Sequence, residues 1–61
     1  MTEYYIEIPK RKVDIELPDI AEVTGRSVKS MGRFRFITCA DEDTEGLENW
    51  FYSNGINFQE M

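Results

Sequence analysis

The chain carries one thiol and no imidazole: 61 residues include 1 Cys and no His. A Ser/His/Asp or Cys/His nucleophile set therefore cannot be assembled, and the side chain that ordinarily titrates near neutral pH is absent. Cys39 follows Arg35 by four positions, and a basic neighbour lowers a thiol's pKa. A lone cysteine in a run of strand-forming residues more often serves as a small buried hydrophobe. It cannot close an internal disulfide, and without a second Cys or a His it cannot complete a zinc site. The acids Asp41, Glu42, Asp43 and Glu45 lack the regular spacing, turn glycine and terminal Glu of a calcium loop; they suit a solvated helix start. The glycines at 25, 32, 46 and 55 are too far apart to cradle a phosphate, and no Gly-Lys-Ser/Thr follows them. The residues thus lead us to expect no catalytic set, no metal site, no cofactor and no enzyme.

Charge is the stronger signal. Seven Lys+Arg stand against 12 Asp+Glu, a net charge of -5, but the signs are segregated. Between Val23 and Arg35 lie Arg26, Lys29, Arg33 and Arg35 with no acid; beyond Phe36 lie Asp41, Glu42, Asp43, Glu45, Glu48 and Glu60 with no base. A second basic cluster, Lys10-Arg11-Lys12, comes earlier. An acidic surface suits a basic protein groove and repels nucleic acid, whereas a basic one does the reverse.

These side chains must be positioned by a small set of elements. Glu3 to Ile8 alternates, with Tyr4, Ile6 and Ile8 on one face and Tyr5 and Glu7 on the other, as in a strand with one wet side. Val13 to Leu17 alternates again, so the two runs predict an antiparallel hairpin joined through Pro9-Lys10-Arg11-Lys12. Pro18-Asp19 then reads as a helix start, with Ile20, Val23, Ser27, Val28 and Met31 near helical spacing. Gly25 leaves two forms open: one helix stopped by Gly32, or a short helix ending near Thr24 followed by a second helical piece. Arg33 to Cys39 predicts a strand with Phe34, Phe36 and Thr38 towards the core. Acids and Thr44 at 41–44 open a last helix, which runs to about Asn54 and stops at Gly55; Ile56 to Gln59 makes a short final strand. The expected fold class is α+β: one domain over residues 1–61, with a small sheet of three to four strands and its helices on one face.

Two local resemblances bear on nucleic acid. Ile20-Ala21, with Gly25 and Ser27 following, resembles the first helix and turn of a helix-turn-helix, which implies a DNA-contacting helix next; Arg26 and Gly32 depart from that pattern. Met31-Gly32-Arg33-Phe34-Arg35-Phe36-Ile37-Thr38 loosely resembles the aromatic strand of an RNA-recognition motif, which implies bases stacked on the rings; Arg33 stands where that motif is usually aromatic.

At about 100° per residue, Leu47, Trp50 and Phe51 share one helix face, which leaves Tyr52 pointing away beside Glu45 and Glu48. Tyr5 lies on the wet side of the first strand. An exposed tyrosine flanked by acids is a suitable contact residue. The expected function is a small protein-binding module (a regulator, inhibitor or adaptor) contacting its partner through Tyr5, Glu45, Glu48 and Tyr52. The alternatives are nucleic-acid binding through Arg26, Lys29, Arg33 and Arg35 with Lys10, Arg11 and Lys12, and a structural homo-oligomer or homodimer joined at an open sheet edge. Few cysteines and no membrane-spanning run point to the cytoplasm, away from membranes.

Overall fold

The computed structural model describes residues 1–24 and 33–61. Among them, β1 (Thr2–Glu7), β2 (Glu22–Val23), β3 (Phe34–Cys39) and β4 (Asn57–Glu60) form a sheet in the order β2-β3-β1-β4, and α1 (Thr44–Ser53) joins β3 to β4. Every neighbouring pair is antiparallel. Because β3 and β4 both run opposite to β1 on its two sides, β3-α1-β4 is a split β-α-β unit, with the helix crossing over the strand between. The mixed α+β class follows directly. No helix among the described residues is long and apolar enough to cross a membrane.

The N-terminal strand forms as its alternation predicts, burying Tyr4, Ile6 and Ile8. Its partner is not the expected one. Both edges of β1 are occupied, Tyr4 facing Ile37 on β3 and Glu60 on β4, which leaves no ladder for Val13 to Leu17. That segment follows a 3-10 turn at Lys10–Lys12, and Ile15 and Leu17 pack against the core without joining the sheet. The hairpin expectation is therefore corrected: period-two alternation is equally satisfied by an irregular segment whose alternate side chains point into the core.

The helix expected to start at Pro18-Asp19 is also corrected within the described residues. Ala21 donates its N–H to the Pro18 carbonyl at 3.0 Å, making one turn, and Glu22–Val23 then pair with Thr38 and Ile37 of β3. Ile20-Ala21 therefore belongs to a turn entering a strand, not to the first helix of a helix-turn-helix. Gly25, Arg26, Ser27, Val28, Lys29, Met31 and Gly32 lie outside the described residues. One α-helix is described where two were expected.

The last helix and its stop match the sequence. A 3-10 turn at Asp41–Asp43 leads into α1, and the Thr44 hydroxyl donates to the Asp41 carbonyl at 3.0 Å. At the other end Gly55 sits at φ 66°, a conformation costly for residues with a Cβ. The Ile56 N–H donates to the Phe51 carbonyl at 2.9 Å and the Gly55 N–H to Tyr52 at 3.3 Å. This is the Schellman pattern, and Ile56, buried against the core, supplies its accompanying apolar contact.

The core is thin: Tyr4, Ile6, Ile8, Ile37, Cys39, Leu47, Phe51 and Ile56, all between α1 and one sheet face. Tyr4 is fully enclosed and meets Phe51 and Phe58 edge-on, at 5.4 and 5.7 Å between centroids. Its hydroxyl cannot be buried unpaired, and it donates to Glu48 Oε2 at 2.6 Å. Burial first, and then the Glu48 carboxylate, push this phenol well above the ordinary tyrosine range. A phenol with a raised folded-state pKa adds stability below the unfolded pKa of about 10 and loses it as pH rises beyond. Tyr4→Phe is expected to lower the unfolding free energy at pH 7 by about 1–3 kcal/mol, since it removes a charge-assisted hydrogen bond. In denaturant titrations the gap between variant and wild type should narrow above pH 10; a gap that is constant with pH would contradict this role for Tyr4.

Candidate interaction face

The ladder divides the side chains of the sheet into two sets, because residues directly opposite each other project from the same face. Tyr4 and Ile6 point towards α1, so their partners Ile37, Arg35 and Phe58 do too. Tyr5, Glu3 and Glu7 project the other way, and with them Phe36, Thr38 and Phe34 on β3, Gln59 and Asn57 on β4, and Glu22 on β2. The expectation that Phe34 and Phe36 are core residues is thereby corrected. Both parities of β3 contain apolar residues, and the register with β1 places Ile37 and Cys39 inside.

On this second face the rings gather. Tyr5 stacks beside Phe34 at 6.1 Å with 15° between planes, and meets Phe36 at 5.0 Å with a 40° tilt. All three rings are half-buried, and none belongs to the core cluster. Among the described residues the apolar covering groups, Leu47 and Phe51 of α1 with Ile15, Leu17 and Ala21, all pack against the core. The result is an aromatic cluster on the two central strands, on the side away from α1, that no apolar group among the described residues is shown to cover, hereafter the open face.

Polar residues frame it in rows. At one end Arg33 lies over Phe34, its Cζ 5.3 Å from the ring centroid, while Nη2 donates to Glu7 Oε2 at 2.9 Å and Nε to the Ile8 carbonyl at 3.2 Å. A cation, an aromatic face and a carboxylate are thus combined within the chain itself. At the other end Glu3 and Glu22 flank Thr38 from its two neighbouring strands. Glu3 accepts the Thr24 hydroxyl at 3.3 Å, and neither acid has an ion pair among the described residues. On the β4 side Tyr5, Glu7, Asn57, Phe58 and Gln59 line a depression of about 160 Å³.

The sequence-nominated contact residues do not form one patch. Tyr5 is on the open face. Glu45 and Tyr52 are exposed on α1, on the opposite side of the sheet, with Tyr52 edge-on to Phe58 at 5.5 Å. Glu48 receives the Tyr4 hydroxyl, so its carboxylate supports the core. Of the basic residues, Arg33 joins the open face, whereas Arg35 lies on the core side, where Nη2 donates to the Val13 carbonyl at 3.1 Å. Lys10, Arg11 and Lys12 form the turn after β1; Arg26 and Lys29 lie outside the described residues. Phe34 and Phe36 are the surface residues that periodicity misassigned, and pairing each β3 parity against Tyr4 and Ile6 would have found them.

Cys39 is buried, and its surroundings reverse the expected effect of Arg35. Burial, then the Asp43 and Asp41 carboxylates, push the thiol up, which keeps it protonated and poorly nucleophilic. A larger depression of about 360 Å³ borders it, lined by Met1, Asp19, Ile20, Glu22, Thr38, Cys39, Ala40 and Asp43. The two faces of β3 make separable predictions. Ile37→Ala is expected to cost about 2–5 kcal/mol, and Phe36→Ala about 1 kcal/mol or less, as for a cross-strand surface pair. Equal losses in chemical denaturation would place Phe36 in the core. Compared with protein-family models, curated proteins and solved structures, the chain matches none of them.

Proposed function

We propose that this domain is a small, non-catalytic, cytoplasmic protein-binding module that regulates, inhibits or links a larger protein by occupying its surface. The observation that carries this reading is the Tyr5–Phe34–Phe36 cluster on the sheet face away from the core. Aromatic rings give large contact area at low entropic cost and are enriched at the centres of interfaces. The contact surface is accordingly the open sheet face, with the acids of α1 secondary. Protein is favoured over nucleic acid by charge. The chain carries -5, and Glu3, Glu7 and Glu22 share the face with Arg33, which is itself paired to Glu7. The mechanism is steric: a face filled by this domain is closed to other ligands.

A second reading rests on where the rings sit. Aromatics on the two central strands of an antiparallel sheet are a surface on which unpaired bases stack, and the basic turn Lys10–Lys12 follows β1 at the Arg33 end. Affinity capture from a cell extract with the whole chain separates the two. The expected outcome is a stoichiometric protein partner, weakened about tenfold or more by Phe36→Ser or Tyr5→Ser and kept by Tyr52→Ser. A partner indifferent to Phe36 and Tyr5 would remove the open face from the account. Binding of single-stranded oligonucleotide that falls steeply with salt would support the second reading instead. Retrieval of the chain's own copies alone would point to a structural homo-oligomer.

A further inference from the structure

The two ends of the open face have the same ingredients, but only one of them holds a cation. At the Glu7 end, Arg33 rests on Phe34 and pairs with Glu7 at 2.9 Å. At the Glu3 end two carboxylates, Glu3 and Glu22, stand on either side of the buried Thr38, one row from the Tyr5–Phe36 pair with its rings at 5.0 Å, and Glu3 also accepts the Thr24 hydroxyl at 3.3 Å. Among the described residues no base pairs with either of these acids. Glu3 on β1 and Glu22 on β2 stand on the two sides of β3, so a cation seated over β3 would have a carboxylate on each side and attraction to both. The adjoining rings favour a flat, weakly hydrated cation over a compact ammonium.

We infer that the open face receives an arginine-bearing segment of a partner protein, one guanidinium lying over Tyr5 and Phe36 and pairing with Glu3 and Glu22. This specifies the chemistry of the partner in the protein-binding reading and rests on it. Arg33 provides the geometry in miniature, since it makes the same two contacts, ring and carboxylate, one row along the same strands. The segment would approach from solvent and would need no rearrangement of the core, because Tyr4, Ile6 and Ile37 face the other way.

The test is a titration of the full chain, at low ionic strength, with blocked tetra-arginine and tetra-lysine peptides, followed by backbone amide resonances. Shifts are expected at Glu3, Tyr5, Glu22, Phe36 and Thr38, with arginine binding about threefold or more tighter than lysine. Glu3→Gln with Glu22→Gln should weaken the arginine peptide about tenfold, while Glu16→Gln with Glu42→Gln, exposed acids away from this face, leaves it unchanged. These glutamates are exposed, and Glu22→Gln alone serves if the double variant loses its fold. Equal affinity for lysine, shifts confined to residues 41–48, or indifference to Glu3 and Glu22 would each overturn the inference. A captured partner lost with Phe36→Ser but untouched by Glu3→Gln and Glu22→Gln would leave the protein-binding reading standing and this inference refuted. A partner untouched by Phe36→Ser as well would refute both.

Discussion

Two-sided pairing of β1 is the constraint on which the rest of the fold depends. Thr2–Glu7 pairs with β3 along its whole length and with β4 along Tyr4 to Glu7. A strand with both edges filled cannot also take part in a hairpin with the residues that follow it. The chain from Ile8 to Ala21 is therefore carried across the core face as an irregular cover, and Ile15, Leu17 and Ala21 supply apolar contact there in place of a helix. The same pairing fixes the parity of β3. Once Tyr4 is inside, Ile37 must be inside, and Phe36 must be outside with Tyr5.

That parity gives the sheet two faces of different character. One is closed by α1 and by residues 13–21 and holds a core of aliphatic side chains, Tyr4, Phe51 and one protonated thiol. The other carries three half-buried rings among Glu3, Glu7, Glu22, Arg33, Asn57 and Gln59. The part of these rings already removed from water contributes to folding, and the part still accessible does not, as the hydrophobic gain scales with area buried. That accessible remainder is available to association. A partner covering the rings would stabilise the domain by mass action, adding to a core with no disulfide to support it.

Local structure was readable wherever one physical signal stood alone. The alternation from Glu3 to Ile8 and the left-handed stop at Gly55 appear where the residues indicate, and the strand read from Arg33 to Cys39 forms one residue shorter, from Phe34. The errors arose where a local pattern fits two long-range solutions. Val13-Asp14-Ile15-Glu16-Leu17 alternates whether it pairs in a sheet or merely lies over one. Phe-Arg-Phe-Ile-Thr-Cys offers apolar residues on both faces, and only the register with β1 chooses between them. The charge blocks were visible in the sequence, but not that Glu48 would be engaged by Tyr4, or that Arg33 and Arg35 would part to opposite sides of the sheet. Tyr5 was recognised as a wet-face residue. Its neighbours Phe34 and Phe36 were not, because their company is set by pairing across some thirty residues of chain.

The central claim is that β1 lies between β3 and β4 with the Tyr5, Phe34 and Phe36 rings on the sheet face away from α1, outside the core. Proton NMR with a soluble gadolinium chelate tests it most directly, because broadening reports how closely the probe approaches each ring. The account predicts strong broadening of the Tyr5, Phe34 and Phe36 ring protons, protection of Tyr4, Ile37 and Phe51, and cross-strand contacts linking Tyr5 to both Phe36 and Gln59. Protected Phe34 and Phe36 rings, or cross-strand contacts from residues 3–8 to residues 13–17, would contradict it.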